Sequence, residues 1–300
     1  MNRIRIANAP CSWGVLEFNL EGEAAGFARV LDEMAQSGYE GTELGDWGFM
    51  PTDPAILHRE LERRNLEMLG AFVPAALIDP AAHAAGLELA LKTAKLLSAV
   101  AEAPFLVLAD NNGTVERRTK KAGRIRPEDG MTDEQWTVFT QGAELIAREI
   151  FDETGVRTVF HHHCAGYVET PQEINRFLNM TDSELIGLCF DAGHYTYGGG
   201  DAAAGMKAYG NRIWHVHFKD CHPEVAEQAR QEGWDYFAAV KNGVFCELGK
   251  GKVDFVSIAR QLLKWNYEGW IVVEQDVLPG MGTPLESARR NREYIKSLGL

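Results

Sequence analysis

Thr158-Val159-Phe160-His161-His162-His163-Cys164-Ala165-Gly166-Tyr167-Val168-Glu169-Thr170-Pro171-Gln172-Glu173 is the stretch whose reading decides the fold. Beta-branched and aromatic residues lead into three histidines, which reads as a buried strand. Thr170 with Glu173 forms a capping box with Pro171 at the first helical position, so a helix begins there. The stretch is therefore one strand-then-helix unit whose strand ends in imidazoles. Because strand side chains alternate between faces, His161 and His163 share one face and His162 takes the other.

The same unit recurs along all 300 residues. Strand-like runs are expected at Ile4–Asn8, Gly41–Leu44, Met68–Val73, Phe105–Ala109, Arg157–His161, Ile186–Asp191, Ile213–Phe218 and Trp270–Glu274. Helical-period segments lie between them, near Ala24–Gln36, Ala55–Asn65, Ala81–Ala99, Asp133–Glu153, Gln172–Asn179, Asp201–Tyr209, Asp254–Trp265 and Pro284–Ser297. Caps are also legible at Asp53-Pro54 and at Thr132 with Gln135. About eight such units close most naturally into an α/β protein of the (β/α)8 TIM-barrel class, a single domain over residues 1–300. An open doubly wound sheet is disfavoured, because Asn8-Ala9-Pro10-Cys11-Ser12-Trp13-Gly14 after the first strand is not a GxGxxG loop. Two connections are long, near 110–132 and 221–252, and long connections in a compact domain are typically lids or binding loops. The first carries Arg117, Arg118, Lys120 and Lys121; the second carries Trp234, Tyr236, Phe237 and Lys241.

Composition narrows the function. A formal net charge of −13 argues against nucleic acid as a partner, since phosphate neutralisation needs Lys and Arg. No apolar run reaches membrane-spanning length, and the N-terminus enters a strand-like run without a signal segment. The five cysteines are scattered, with no CxxC pair, as suits a reducing cytoplasm. The expectation is a cytoplasmic protein with no membrane partner.

In a barrel, the C-terminal ends of the strands line one mouth, and active sites sit there. Those ends carry Glu43, Asn111, His161 and His163, Asp191, His215 and His217, and Glu274. Alternation turns Phe160, Phe190, Val216, Phe218 and Val273 outward and His161, Asp191, His217, Lys219 and Glu274 inward. An Asp, a Glu and two or more His converging from different strands suit a divalent metal, and burying them without a cation would be costly.

These motifs resemble the xylose-isomerase-like TIM-barrel superfamily of sugar isomerases, epimerases and dehydratases. The resemblance rests on Phe190-Asp191-Ala192-Gly193-His194, His215-Val216-His217-Phe218-Lys219-Asp220 and Val272-Val273-Glu274. Within it the chain is most similar to the inosose (2-keto-myo-inositol) dehydratases of bacterial inositol catabolism. That likeness is carried by the triple histidine, Gly41-Thr42-Glu43-Leu44-Gly45, Gly269-Trp270-Ile271-Val272-Val273-Glu274-Gln275-Asp276 and the Gln228…Glu232-Gly233 excursion. The resemblance spans nearly the whole chain. It implies metal ligands at Asp191, His217 and Glu274, with His161 where the superfamily usually has a glutamate. Mn2+ or Co2+ is the implied cation, with Zn2+ or Fe2+ as further choices, and the substrate is a small keto-polyol or keto-sugar. Barrels of this family often pair, so a homo-oligomer is among the implied states.

The implied reaction is dehydration, by α-proton abstraction, a metal-stabilised enolate and loss of the β-hydroxyl. Glu274 or His163 would be the base, and His194 the acid or a substrate hydrogen-bonder. Lys219 would stabilise the enolate or orient the polyol; the alternative is an ion pair with Asp220. Glu43, Trp13 and Asn111 would meet substrate hydroxyls or a ring face, although Trp13 also reads as core. His215 would touch substrate or orient its neighbours. The runner-up activities are ketose isomerisation or epimerisation, which uses two opposed bases, and cleavage of a 3-keto-glycoside. Endonuclease chemistry would want a multi-metal cluster and a basic surface. A non-catalytic sugar- or metal-binding protein is the remaining reading.

Overall fold

The computed structural model describes residues 4–14, 25–276 and 282–300. Eight parallel strands close into a barrel: β1 (Ile4–Asn8), β2 (Gly41–Glu43), β3 (Glu67–Ala75), β4 (Phe105–Asp110), β5 (Arg157–His161), β6 (Ile186–Asp191), β7 (Ile213–Phe218) and β10 (Gly269–Val273). The order round the barrel is β1-β10-β7-β6-β5-β4-β3-β2, closed between β2 and β1. All eight expected strands form, with ends displaced by one or two residues. Their near-continuous apolar runs fit strands covered on both faces.

The outer ring comprises α1 (Phe27–Gln36), α2 (Pro54–Glu62), α3 (His83–Val100), α5 (Asp133–Thr154), α6 (Pro171–Met180), α8 (Ala202–Tyr209), α11 (Phe255–Lys264) and α12 (Pro284–Ser297). Their apolar stripes meet the outward strand positions, as where Phe160 stacks on Phe177 at 4.0 Å and Phe218 lies 4.8 Å from Phe255. The three legible caps are present: Asp53 accepts from the Ile56 N–H, Thr132 pairs with Gln135, and Thr170 pairs with Glu173. The expected start of the first helix at Ala24, and Met1–Arg3 of the N-terminal run, lie outside the described residues.

The long connections carry secondary structure of their own. The first holds the short helix α4 (Glu116–Lys121). The second holds a two-stranded antiparallel ribbon, β8 (Asp220–Cys221) with β9 (Phe245–Cys246), and the helices α9 (Pro223–Glu232) and α10 (Tyr236–Lys241). The two excursions share a small apolar core in which Ala122 of the first and Tyr236, Val240 and Phe245 of the second pack with Cys164 and Tyr197. Arg124 donates to the Trp234 carbonyl at 2.7 Å, and Arg230 donates back to the Gly123 carbonyl at 3.0 Å. Asp220 is the pivot of the second excursion, accepting from the N–H groups of Cys221, Gly249, Gly251 and Val253. It is occupied there and does not pair with Lys219, because those four donors surround its carboxylate. No helix among the described residues is long and apolar enough to cross a membrane.

Candidate metal centre and its histidine wall

Alternation along β5, β6, β7 and the end of β10 delivers His161, Asp191, His217 and Glu274 to one point, with candidate ligand atoms all within 4.8 Å of one another. Register explains the convergence: Asp191 lies opposite His217, and the Glu274 N–H donates to the Phe218 carbonyl, tying it to the strand that bears His217. Asp191 has a divided role. Its Oδ1 accepts from the His194 N–H at 2.7 Å, capping a short helix α7 (Ala192–Tyr197), while its Oδ2 faces His161 Nε2 at 3.7 Å and His217 Nδ1 at 3.9 Å. Sequence periodicity missed α7 because one and a half turns show no repeat.

Four atoms of this cluster are buried without a hydrogen-bond partner: both ring nitrogens of His161, Asp191 Oδ2 and His217 Nδ1. Each such group costs about 1–3 kcal/mol when left unpaired, and a cation would supply the missing partner of Asp191 Oδ2, His217 Nδ1 and one nitrogen of His161. Charge agrees. Glu43, Asp191, Glu274 and Asp276 are all buried, and among the described residues Lys219 is the one buried ammonium beside them. Two imidazoles and two carboxylates therefore fit a divalent ion, which would offset this excess of negative charge.

His217 is held from behind. Its Nε2 lies 3.0 Å from Glu43 Oε1, and His215 Nε2 reaches the same oxygen at 2.8 Å. Burial alone would raise the Glu43 carboxyl, but the His217 charge and the two imidazole hydrogen bonds hold it down at about 2. Glu43 is thus a buried partner of histidines and is committed below the mouth, where it was expected to meet substrate. His215 takes the orienting place beside it. Trp13 is likewise redirected: it packs in the main core, and its indole N–H donates to Glu33 Oε2 at 2.7 Å, because α1 covers it with a carboxylate. Asn111 follows β4 directly, its N–H held by Asp110 Oδ1 and its carbonyl by the Thr114 hydroxyl.

On the other side of the cluster stands a wall of two histidines and a lysine. The rings of His163 and His194 are 3.8 Å apart, and Lys219 Nζ lies 3.1 Å from His194 Nε2. Lys219 also meets Glu274 Oε2 at 3.1 Å and Asp276 Oδ1 at 3.3 Å. Burial works against its charge, but Asp276, Glu274 and Asp191 outweigh burial and hold its pKa well above the ordinary value. Burial, reinforced by neighbouring imidazoles and Lys219, drives both His163 and His194 well below the ordinary histidine range, so both rings are neutral near pH 7. His163 Nδ1 lies 2.5 Å from the Cys164 carbonyl and must donate there, which leaves Nε2 as an acceptor, 3.4 Å from the Tyr236 hydroxyl. Gly193 makes room for the lysine: a Cβ at that position would come within 2.6 Å of the Lys219 side chain. His162, on the outer face, accepts from the Asp191 N–H at 3.2 Å and is kept neutral by burial, its pKa near 3.

The description of the matching family model is "xylose isomerase-like TIM barrel", and it covers residues 31–298. The chain belongs to this family. Full-length relatives include proteins named inosose dehydratase from Geobacillus kaustophilus (32% identical, covering 99% of this chain and 96% of the relative) and Bacillus licheniformis (33%, 96% and 93%). Among solved structures, a probable 3-DHS dehydratase from Bacillus anthracis superposes with a TM-score of 0.71 at 14% identity, covering 97% of this chain and 98% of the other. A D-allulose 3-epimerase from Methylomonas superposes at 0.69 with 19% identity, covering 99% of both chains. Those two likenesses show the fold. Within the family frame, two residues of this site were given no role from the sequence: Asp276, which lies beyond the strand end where alternation no longer applies, and Tyr236, which reaches His163 from the second excursion. For Tyr236 the aromatic cluster around it was the available signal.

Proposed function

We propose that this chain is a divalent-metal-dependent dehydratase of a cyclic keto-polyol, with 2-keto-myo-inositol as the model substrate. One observation carries the reading: unpartnered buried atoms of His161, Asp191 and His217 converge beside Glu274 at the barrel mouth, in a chain whose full-length relatives are named for inosose dehydration. His161, Asp191, His217 and Glu274 would hold the ion, with Mn2+ or Co2+ suited to that donor set and Zn2+ or Fe2+ also compatible. A bound ion supplies Lewis acidity beside the substrate ketone.

The chain's own groups then divide the proton work. His163 Nε2, neutral and unprotonated, takes the proton from the carbon beside the ketone. Glu274 is less available for that step, since one oxygen lies 3.3 Å from His217 Nδ1 and the other is on Lys219. Lys219 carries protons and delivers one to the departing β-hydroxyl, with the neutral ring of His194 3.1 Å from it. The C–H and C–O bonds break, water leaves, and the remaining enol tautomerises to a 1,2-diketone. Having His161 in place of a second carboxylate favours this asymmetric acid–base chemistry over the two opposed bases of epimerisation. The test uses chelator-stripped protein reloaded with Mn2+ or Co2+ and given 2-keto-myo-inositol in D2O. Metal-dependent loss of water is expected by NMR. Deuterium entry at the α-carbon without loss of water would replace dehydration with isomerisation.

A further inference from the structure

Beneath the four-residue cluster lies a buried thiol that the proposed reaction does not use. Cys189 sits two residues before Asp191 on β6, so it faces inward one position deeper in the barrel. It lies opposite His161 of β5 and His215 of β7 in register, and it is fully buried. Its sulfur and the ring nitrogens of His161 and His217 approach within 4.8 Å of one another. The neighbouring set of Glu43, His215 and His217 is already joined by hydrogen bonds of 2.8 and 3.0 Å, whereas both His161 nitrogens and His217 Nδ1 lack partners. A cation in the upper cluster can use His161 Nε2, which faces Asp191, and His161 Nδ1 is then still unaccounted for.

We propose that Cys189, His161 and His217 form a second, softer cation position, alternative to the upper one. This inference rests on the metal-binding reading of the upper cluster and adds a thiolate to it. Because His161 and His217 belong to both sets, one ion at a time can be held. Ligand softness then sorts the ions: Mn2+ stays with the carboxylates of Asp191 and Glu274, and a thiophilic ion such as Cd2+ moves down to sulfur. In the deeper position the metal–sulfur bond forms as the S–H bond breaks, the proton leaving to solvent. The thiol is fully buried, so a hard ion leaves it as S–H and only a thiophilic one displaces that proton. A Cd2+ ion so bound withdraws His161 and His217 from the mouth and inhibits the enzyme.

The experiment is Cd2+ titration of the stripped full-length protein, read by the ultraviolet thiolate-to-cadmium charge-transfer band and by competition with Mn2+. The expected result is one band per chain that Mn2+ suppresses. It should be lost in Cys189→Ser and kept in Cys164→Ser and Cys221→Ser. Cd2+ affinity should fall more than about tenfold in Cys189→Ser, with Mn2+ affinity changed less than about twofold. Absence of the band in the wild-type protein, or its survival in Cys189→Ser, overturns the proposal. Should Cys189→Ser not fold, X-ray absorption of the wild-type cadmium protein decides instead: a sulfur around the Mn2+-displaceable ion supports the site, and a shell of nitrogen and oxygen alone sinks it. Cd2+ that displaces Mn2+ without a sulfur ligand removes this inference and leaves the upper site standing, whereas a chain that binds neither ion removes both.

Discussion

Glu43 Oε1 lies 3.0 Å from His217 Nε2, on the far side of the ring from Asp191 and Glu274. A carboxylate there accepts the Nε2 proton, so that once Nδ1 gives up its own proton its lone pair is aimed into the cluster. The His217 tautomer is therefore set by a residue on β2, across the barrel from β7. Partners of this kind typically change metal affinity by 10- to 100-fold. Glu43→Gln should lower Mn2+ affinity on that order while the barrel still folds, as checked by calorimetry and circular dichroism. Unchanged affinity would leave Glu43 as mere core polarity.

Metal uptake should also depend on pH in a defined sense. Burial opposes a charged His217, but the Glu274 and Glu43 charges outweigh it and hold its pKa well above the ordinary value when no ion is bound. Loading an ion on Nδ1 must expel that proton. Mn2+ binding should therefore tighten as pH rises, by up to about tenfold per unit, between about pH 6 and about pH 8. Calorimetry in buffers of different ionisation enthalpy should register the released proton. The bound ion should stabilise the fold by about 2.7 kcal/mol at a hundredfold excess over Kd, seen as a raised Tm that chelator reverses.

The barrel and the metal cluster were legible in the sequence because both follow from alternation. Strand period two, continued to each strand end, turns His161, Asp191, His217 and Glu274 inward together. Where a residue acts through contacts across the fold, the sequence is silent. Nothing local marks Trp13 as the partner of Glu33, or Glu43 as the anchor of two histidines 172 and 174 positions away. Asp276 lies past the point where β10 fixes direction, and α4, α7 and α10 are six residues each, too short for a helical repeat to register.

Glu169 gives a stability prediction remote from the candidate metal site. It is buried beneath the first excursion, accepting from the Gly123 N–H at 2.7 Å and the Ala165 N–H at 2.9 Å. Burial wins over those bonds and over the Arg118 charge, raising its carboxyl from 4.5 to about 7. A raised carboxyl binds its proton more tightly when folded, so its contribution is complete below about pH 4.5 and is lost as pH climbs through about 7. The loss is at most about 3 kcal/mol. Urea unfolding of the stripped protein should show stability falling over that window, and Glu169→Gln should flatten the slope even though its amide cannot accept from both N–H groups. Parallel slopes in the two proteins would show that the carboxyl titrates normally.

The base and the acid can be separated by isotope exchange. His163 Nε2 is the unprotonated acceptor of the wall, and Lys219, 3.1 Å from His194 Nε2, holds its protons against three carboxylates. His163→Gln should suppress both α-deuterium exchange and water loss, since neither begins without proton removal. Lys219→Gln should retain exchange while water loss falls by about 10²- to 10⁴-fold, the range for a general acid. Because His163, His194 and Lys219 form one contiguous wall, the proton and the hydroxyl should leave from the same face of the ring. The substrate's configuration fixes these faces, so turnover, followed by NMR, of the epimer that presents the α-hydrogen and β-hydroxyl on one face and not of the other reports this directly. Exchange lost equally in both variants would merge the two roles into one group, and anti elimination would move the acid to the opposite side of the cluster.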